Sequence, residues 1–538
     1  MLAASRPGWL RAPPTLNDLP AIGAAVLIGA PVLAACLGGL LFGGGAAWDQ
    51  VVSTRLVTYL ASTLGVLLTC AALVLAAAIP AAWLVSAFDF PGRRIFDWAL
   101  VVPLAAPGYV IAYSYADLLG VSGPFQSAIR DATGLAARDF WFPDVYSVPG
   151  CAFVLAACLY PYVYLSARAA FTTQSVCALE AARSLGAGPA RAFWQVALPG
   201  ARPAIAAGLS LALMEAAADY GAADFLGVPT LTVGLVRTWS SFGDAAAAAR
   251  LSVFLIAIAL AFQWMERRGR GQGGIQASSI RWRDPGRIRL GGLAAMGASL
   301  FCFTVFATGF LIPVARLAWI AIEQRASVAP LGDALWNSVL LAGMGAAFAF
   351  LLAVVIALGA RRRKIGARLG QIAASAGYAV PGAVLAVGGL MVLSILPLSL
   401  TGGTAVALLV WIYASRFTAA GAGPMEAALM RSPASLGHAA RSLGAGPLRQ
   451  AWSVDRPIAL SGAAIGALIL FVETLKELPA TLMLRPFNWD TLAVRAHAYA
   501  SDERLAAAAA PSLLITLAGL GPILILCRQL ARARPGGQ

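Results

Sequence analysis

Charge is scarce in this sequence of 538 residues, in which 12% of the residues are charged and 60% are hydrophobic. Soluble domains carry about 25% charged residues, so this composition excludes an ordinary soluble globular protein. Lysine occurs only at Lys364 and Lys476, and neither follows a glycine. A P-loop needs Gly-Lys followed by Ser or Thr to hold phosphates. Any ATP hydrolysis of that kind therefore belongs to a separate polypeptide.

Histidine and cysteine are also sparse, which limits the chemistry of the chain. His438 and His497 are the two histidines, and the seven cysteines form no CxxC pair. The cysteines lie mostly in apolar stretches and are interpreted as small packing residues. The sequence presents neither a cluster typical of a metal site nor a nucleophile constellation, which argues against an enzyme acting within a membrane.

Long apolar runs make up much of the sequence. Runs near the length that crosses a bilayer, about 20 residues, recur along the whole sequence. They predict an all-α polytopic membrane protein with about twelve transmembrane helices. The first six are expected near 21–44, 57–87, 97–118, 149–171, 203–223 and 248–265. The second six are expected near 291–321, 335–360, 370–395, 403–420, 458–482 and 505–527.

An arginine-rich stretch separates the two groups of spans. We predict a first transmembrane half at 1–266, a cytoplasmic linker at 267–290 and a second transmembrane half at 291–538. The net charge of +15 needs no nucleic-acid partner, because cytoplasmic loops of membrane proteins carry an excess of Lys and Arg. With both termini in the cytoplasm, the arginine-rich segments fall on the inner side.

One phrase, AARSLGAGP, occurs at 181–189 and again at 439–447. Six predicted spans separate the copies, and an even number places both loops on the same membrane face. The halves are therefore predicted to be parallel repeats, related by a pseudo-two-fold axis along the membrane normal. Each loop is expected to form a short helix-turn-helix, because Gly186 and Gly444 favour a left-handed turn and Pro189 and Pro447 suit the first turn of a helix.

These loops carry a family resemblance. Glu180-Ala181-Ala182, Gly186 and Pro199 follow the pattern of the EAA loop of ATP-binding-cassette (ABC) importer permeases. The second copy has His438 in place of the glutamate, then Ala439, Ala440, Gly444 and Pro457. In that family the loop forms a coupling helix that docks on the ATPase subunit, so the resemblance assigns these ten residues to ATPase docking.

The wider sequence resembles the fused, two-half permeases of ferric iron importers, most distinctively at 213–239 and 471–503. The resemblance implies the type I ABC importer fold, two copies of an ABC ATPase and a periplasmic binding protein as partners. It also implies a bacterial inner membrane location, no cofactor in this chain and use of Mg-ATP by the ATPase. Permeases for thiamine, phosphonate or polyamines share the plan and remain alternatives. An ion-coupled secondary transporter is a further alternative, but it would leave the EAA loops unexplained.

Four acidic residues repeat within the predicted spans. Glu215 and Asp219 lie four residues apart, and the same offset that relates the two loops leads to Glu473 and Glu477. The sequence predicts each pair on one helix face. One interpretation is structural, with Glu473 and Lys476 as an ion pair. The other is a carboxylate-lined path, because Fe³⁺ is a hard cation that prefers oxygen ligands. Both interpretations stay open.

The segment 119–148 is predicted to be a long outer loop. It carries Phe140, Trp141, Phe142 and Tyr146, whereas the matching segment of the second half, 396–402, is short. Aromatic residues exposed together often mark a contact surface. A receptor contact, a re-entrant loop and a self-packed loop are equally compatible with this pattern.

Overall fold

The computed structural model describes residues 18–42, 45–173, 188–273, 287–323, 331–361, 365–397, 399–430, 436, 439–440, 442–444 and 446–532. The helices of the first sequence half are α1 (Leu19–Leu41), α2 (Ala46–Thr54), α3 (Leu56–Ala87), α4 (Arg93–Ala99), α5 (Gly108–Leu119), α6 (Pro124–Thr133), α7 (Val148–Thr173), α8 (Pro189–Ala192), α9 (Leu198–Ala218), α10 (Gly221–Phe225), α11 (Leu231–Phe242) and α12 (Ala245–Gly273). Those of the second half are α13 (Gly292–Phe306), α14 (Ile312–Glu323), α15 (Gly332–Arg361), α16 (Ile365–Ala379), α17 (Gly382–Ile395), α18 (Gly402–Met430), α19 (Pro447–Gln450), α20 (Arg456–Leu475), α21 (Pro479–Leu484), α22 (Leu492–Ser501) and α23 (Leu505–Arg532).

The helices confirm a polytopic membrane protein. Within the described residues, nine helices are long and apolar enough to cross a membrane, or up to twelve if each of three bent helix pairs is one span. Alanine and leucine favour helix, and a helix satisfies all its backbone hydrogen bonds internally within lipid. The prediction of about twelve transmembrane helices is therefore confirmed.

Two predicted spans are wrong as single helices. The span at 97–118 consists of Arg93–Ala105 and Gly108–Thr133, which meet at 95°, and the span at 370–395 consists of Ile365–Ala379 and Gly382–Ile395, which meet at 117°. Pro107 and Pro381 stand in extended conformation immediately before α5 and α17. A proline lacks the backbone N–H and disfavours helix at the preceding residue, so the apolar run continues where the helix does not.

The predicted spans at 203–223 and 458–482 also run too far. Helix α9 ends at Ala218, with Asp219 in extended conformation as its C-cap. Helix α20 ends at Leu475. Short helices α10 and α21 follow each break. Asp219 and Glu477 therefore lie beyond the helices that carry Glu215 and Glu473, and the prediction that each pair shares one helix face is wrong.

The first of two compact units, unit 1, comprises Met1–Val51, Leu235–Ile256 and Ala329–Arg495. Helices α15, α16, α18 and α20 pack together, and α1 packs along α16 and α17. Part of the interior consists of Ala353, Ala357 and Ala422 against Met425 and Leu429. Small residues at such contacts let helix backbones approach closely, which is how membrane helices associate without a hydrophobic driving force.

The second compact unit, unit 2, comprises Val52–Gly234, Ala257–Val328 and Ala496–Gln538. Helix α7 packs against α3 and α9, while α14 and α23 pack together beside the turn that precedes α5. A short parallel pairing joins β1 (Phe88–Asp89) to β2 (Ile288–Arg289). This pairing holds the end of the predicted linker against the loop after α3.

Each unit draws on both halves of the sequence. Unit 1 includes α1 of the first half with the central helices of the second, and unit 2 includes α13, α14 and α23 of the second half with the central helices of the first. The predicted division at 1–266, 267–290 and 291–538 concerns the sequence repeat and stays a prediction. Of the predicted linker, residues 274–286 lie outside the described residues.

Candidate functional site

The predicted ATPase-docking loops are described in part. Glu180, Ala181, Ala182, Gly186 and His438 lie outside the described residues. Ala439 and Ala440 are helical, with the carbonyl of Ala439 accepting the N–H of Leu443 at 3.1 Å. Gly444 follows with φ of +81°, the left-handed conformation that glycine was predicted to supply at this turn.

Both prolines begin helices as predicted. Pro189 opens α8 and Pro447 opens α19. A π-helical turn follows in each copy, at Phe193–Ala197 and Ala451–Asp455, and leads directly into α9 and α20. Pro199 and Pro457 lie in the first turns of those long helices. In the first copy the second helix of the loop is continuous with the membrane helix over Ala190–Ala218, whereas in the second copy Trp452–Leu460 and Gly462–Leu475 meet at 56°. The sequence predicted a short separate helix in each copy.

The repeated π-helical turns expose a tryptophan each, which the sequence reasoning did not single out. Trp194 is 65% exposed and Trp452 is 69% exposed. Arg456 stacks over the Trp452 ring at 4.2 Å. The two tryptophans occupy equivalent places of the repeat, so this signal was available from the sequence alignment of the two halves.

The carboxylates of the first half stand at a helix break in unit 2. Glu215 is half-buried near the end of α9. Asp219 Oδ1 accepts backbone N–H bonds from Ala222 at 2.9 Å and Ala223 at 3.4 Å. Asp219 therefore caps α10, in the manner of an N-terminal carboxylate that satisfies otherwise unpaired donors.

The carboxylates of the second half repeat this arrangement in unit 1. Glu477 Oε1 accepts the N–H of Ala480 at 3.0 Å and so caps α21. Its other oxygen lies 3.9 Å from Arg416 Nε, and both side chains are buried. Glu473 forms the predicted ion pair with Lys476, at 2.8 Å. These contacts favour the structural interpretation for the second half, while the path interpretation stays a prediction.

Each capping carboxylate lies against the glycine that begins the outer part of a broken helix. A Cβ added to Gly108 would stand 3.0 Å from Asp219 Oδ2, and a Cβ added to Gly382 would overlap the Glu477 carboxylate. The carboxylate thus faces the N-termini of α5 and α17, where a negative charge is favoured by the helix dipole. One acidic side chain joins two helix starts in each unit.

A second repeated contact fixes the helices that follow. Thr63 Oγ accepts the N–H of Leu231 at 2.8 Å, and Ser338 Oγ accepts the N–H of Leu492 at 2.7 Å. The starts of α11 and α22 are therefore attached to α3 and α15 in the same way. The first backbone N–H groups of a helix have no partner within the helix, and these hydroxyls supply one that water would otherwise have to provide.

Unit 2 also contains a buried polar cluster that the sequence reasoning missed. Tyr113 Oη lies 3.1 Å from His497 Nδ1, and His497 Nε2 lies 3.4 Å from Asp224 Oδ2. Tyr220 Oη donates to the same Asp224 oxygen at 3.0 Å. Among the described residues, no group of three or more His, Cys, Asp or Glu side chains is arranged to hold a metal ion. Tyrosine is not among those four residue types, and it supplies two of the four residues of this cluster.

The segment 119–148 folds back on itself around α6. Gln126 donates to the carbonyl of Leu119 at 2.8 Å, and the rings of Phe125 and Phe142 lie 5.8 Å apart. Trp141 remains 86% exposed. Partial burial, followed by the charges of Glu503, Asp144 and Asp117, raises the pKa of Tyr146 above its ordinary value, so its phenol stays neutral. The segment is both self-packed and equipped with an exposed aromatic side chain.

Comparison with known proteins gives one family and several relatives. The family model described as binding-protein-dependent transport system inner membrane component matches residues 74–270. The Fe(3+)-transport system permease protein FbpB 2 of Haemophilus influenzae is 24% identical over 459 residues, which is 83% of this chain and 84% of the relative. The molybdenum transport system permease protein ModB of Escherichia coli K12 is 28% identical over 206 residues, 36% of this chain and 86% of the relative. The probable sulfate transport system permease protein cysT of Chlorokybus atmophyticus is 31% identical over 144 residues, 26% of this chain and 46% of the relative.

Proposed function

We propose that the chain is a membrane permease of the binding-protein-dependent ABC importer class, whose family model matches residues 74–270, and that it forms the translocation path for ferric iron. In this proposal a periplasmic binding protein delivers the iron, and two copies of an ABC ATPase dock at 175–202 and 433–461. The ATPase binds Mg-ATP, and this chain needs no cofactor. The protein lies in the bacterial inner membrane with both termini in the cytoplasm.

The observation that carries the coupling mechanism is the continuity of loop and membrane helix. The helix that begins after the first docking loop runs without interruption from Ala190 to Ala218. At its far end lies Asp219, which caps α10 and faces Gly108 of the broken span. A helix is rigid along its axis, so displacement of the loop by the ATPase would move the carboxylate and the helix starts it joins.

Ferric iron is supported by the extent of the similarity to FbpB 2, which covers both halves of the chain, whereas the named molybdenum and sulfate relatives match 36% and 26% of it. The carboxylates of the first half, Glu215 and Asp219, are oxygen ligands of the kind that a hard cation prefers. Molybdate, sulfate, thiamine, phosphonate and polyamines are the competing cargoes.

The test is uptake by reconstituted proteoliposomes. The permease, the ATPase and the binding protein encoded beside it are assembled, and uptake of ferric iron, molybdate and sulfate is compared with ATP inside. We expect iron uptake that requires ATP, the ATPase and the binding protein. Uptake of molybdate or sulfate in its place would reject iron as cargo. Uptake by the permease alone, driven by an ion gradient, would reject the importer mechanism in favour of a secondary transporter.

A further inference from the structure

The polar cluster of unit 2 is not required by the fold. Tyr220 and Asp224 follow the capping Asp219, Tyr113 follows Gly108, and His497 follows the start of α22. Counted from the capping carboxylates Asp219 and Glu477, Tyr220 and Asp224 correspond to Leu478 and Leu482. Counted from Gly108 and Gly382, Tyr113 corresponds to Val387. Counted from Leu492 and Leu231, His497 corresponds to Val236. The same elements therefore form with apolar side chains in all four places.

Burial makes the cluster costly. Tyr113, Tyr220 and His497 are buried, with His497 only 5% exposed, while Asp224 retains 17% exposure of its side chain. Polar and ionisable side chains within a membrane domain are expensive unless they are mutually hydrogen-bonded, and they commonly mark substrate or ion pathways. A cluster that the fold can omit points to a function, and its carboxylate keeps part of its surface exposed.

Two donor–donor distances in the cluster match those between neighbouring donors in a metal coordination shell. Asp224 Oδ2 lies 3.0 Å from Tyr220 Oη and 3.4 Å from His497 Nε2. At metal–donor distances of about 2.0–2.2 Å, neighbouring donors in a coordination shell lie about 3 Å apart. A phenolate and a carboxylate are anionic oxygen donors, which suit a hard trivalent cation, and tyrosine is a known iron ligand.

Tyr113 supplies the remaining element of such a site. A histidine that binds metal through one ring nitrogen almost always engages a second group through the other, which fixes its tautomer. His497 Nδ1 lies 3.1 Å from Tyr113 Oη. With the ring proton on Nδ1 and donated to Tyr113, the lone pair of Nε2 faces the Asp224 carboxylate, and a cation between them relieves the repulsion.

We propose that Tyr220, Asp224 and His497 form a transient binding site for the ferric ion during transport, with Tyr113 positioning the imidazole. The inference rests on ferric iron being the cargo. Binding forms bonds from iron to the Tyr220 phenolate, the Asp224 carboxylate and His497 Nε2. It releases one proton, from the Tyr220 hydroxyl, while the imidazole keeps its single proton on Nδ1. The ion is neither oxidised nor reduced.

The test uses the purified permease–ATPase complex in nanodiscs, titrated with ferric nitrilotriacetate. Phenolate bound to ferric iron gives a visible charge-transfer absorption band, and retained iron is measured after gel filtration. The variants are Tyr220→Phe and Tyr113→Phe. The matched control is Tyr115→Phe, since Tyr115 lies on the same helix but donates to the carbonyl of Thr308 at 2.6 Å.

We expect the band in the wild type and in Tyr115→Phe, and its loss in Tyr220→Phe. Tyr113→Phe should keep the band but weaken ferric binding by about 10–100-fold, as outer-shell changes do. No band in the wild type, or an equal band in Tyr220→Phe, overturns the site. ATP-driven iron uptake measured in parallel separates the two proposals. Uptake without a band rejects the site alone, whereas a band without uptake rejects iron as the transported cargo and with it the role of the site in transport.

Discussion

At the scale of single residues, the two capping carboxylates differ in what faces them. In unit 1, Arg416 Nη1 lies 2.8 Å from the position of a Cβ on Gly382, beside Glu477. In unit 2 the equivalent neighbour of Gly108 is the Cys158 sulfur, at 3.7 Å. An arginine in one copy of the repeat therefore takes the place of an uncharged thiol in the other. The ion pair of Arg416 and Glu477 belongs to the second copy alone.

We predict that Arg416→Met destabilises the protein strongly. Removing one partner of a buried ion pair leaves an uncompensated charge and costs about 3–5 kcal/mol. The double variant Arg416→Met with Glu477→Gln should regain most of that stability, because no buried charge remains. The measurement is the thermal unfolding midpoint of the purified permease in detergent.

Lys476→Met is the matched control for that prediction. Its pair with Glu473 is more exposed, at 16% and 31% of the side chains, and partly solvated pairs contribute about 0–1 kcal/mol. If Lys476→Met and Arg416→Met lower the thermal unfolding midpoint equally, the burial of the Arg416–Glu477 pair is not what stabilises the helix break after Leu475.

At the scale of elements, hydropathy predicted the long helices well and their interruptions poorly. The spans predicted at 57–87 and 335–360 match α3 and α15 within a few residues. The breaks at Pro107 and Pro381 were missed because the residues on both sides are apolar, and a hydropathy window does not register a lost backbone donor. The helix ends at Ala218 and Leu475 were missed because the capping acids were interpreted as part of the helix.

The polar cluster was beyond the sequence reasoning for a different reason. Tyr113 and His497 are 384 residues apart, and only the packing of unit 2 brings them together. Alignment of the two halves would have shown polar residues opposite Val387, Leu478, Leu482 and Val236. That comparison gives the positions but not the distances that make a site.

The turn of the second docking loop gives a prediction about coupling. Gly444 has φ of +81°, where any other residue is strained, by about 1–2 kcal/mol. Gly444→Ala should therefore lower the substrate-stimulated ATPase activity of the assembled complex. Gly446→Ala is the matched control, because Gly446 has no such φ and no atom within 4 Å of an added Cβ. Similar activity in both variants would contradict a role for the turn shape in docking.

The exposed aromatic segment gives a prediction about the receptor. Trp141→Ala should weaken binding of the periplasmic binding protein, because the side chain is 86% exposed and exposed aromatic residues anchor interfaces. Trp194→Ala is the control, since Trp194 is similarly exposed but lies beside the docking loop. Binding is measured by surface plasmon resonance on nanodiscs. If Trp194→Ala loses more receptor affinity than Trp141→Ala, the receptor binds on the side of the docking loops, and the assignment of the two membrane faces is wrong.

At the scale of the whole molecule, the two compact units interleave the two sequence halves. Helix α1 packs along α16 and α17 within unit 1, and α14 packs against α23 and α5 within unit 2. The central helices of each half therefore complete their packing with helices from the other half. Neither half, taken alone, contains all the helices of either unit.

We predict that the halves fold only together. Polypeptides 1–280 and 281–538, divided within the predicted linker, should each aggregate or be degraded when expressed alone, because each lacks helices that cover its apolar faces. Co-expressed, they should co-purify and support the ATP-driven uptake of the intact chain. The control is the full chain with a protease site inserted after residue 280 and cleaved once purified, which should stay associated and active. A single half that elutes as a stable, monodisperse and fully helical species would show that its packing does not depend on the other half, and that the interleaved units are not folding units.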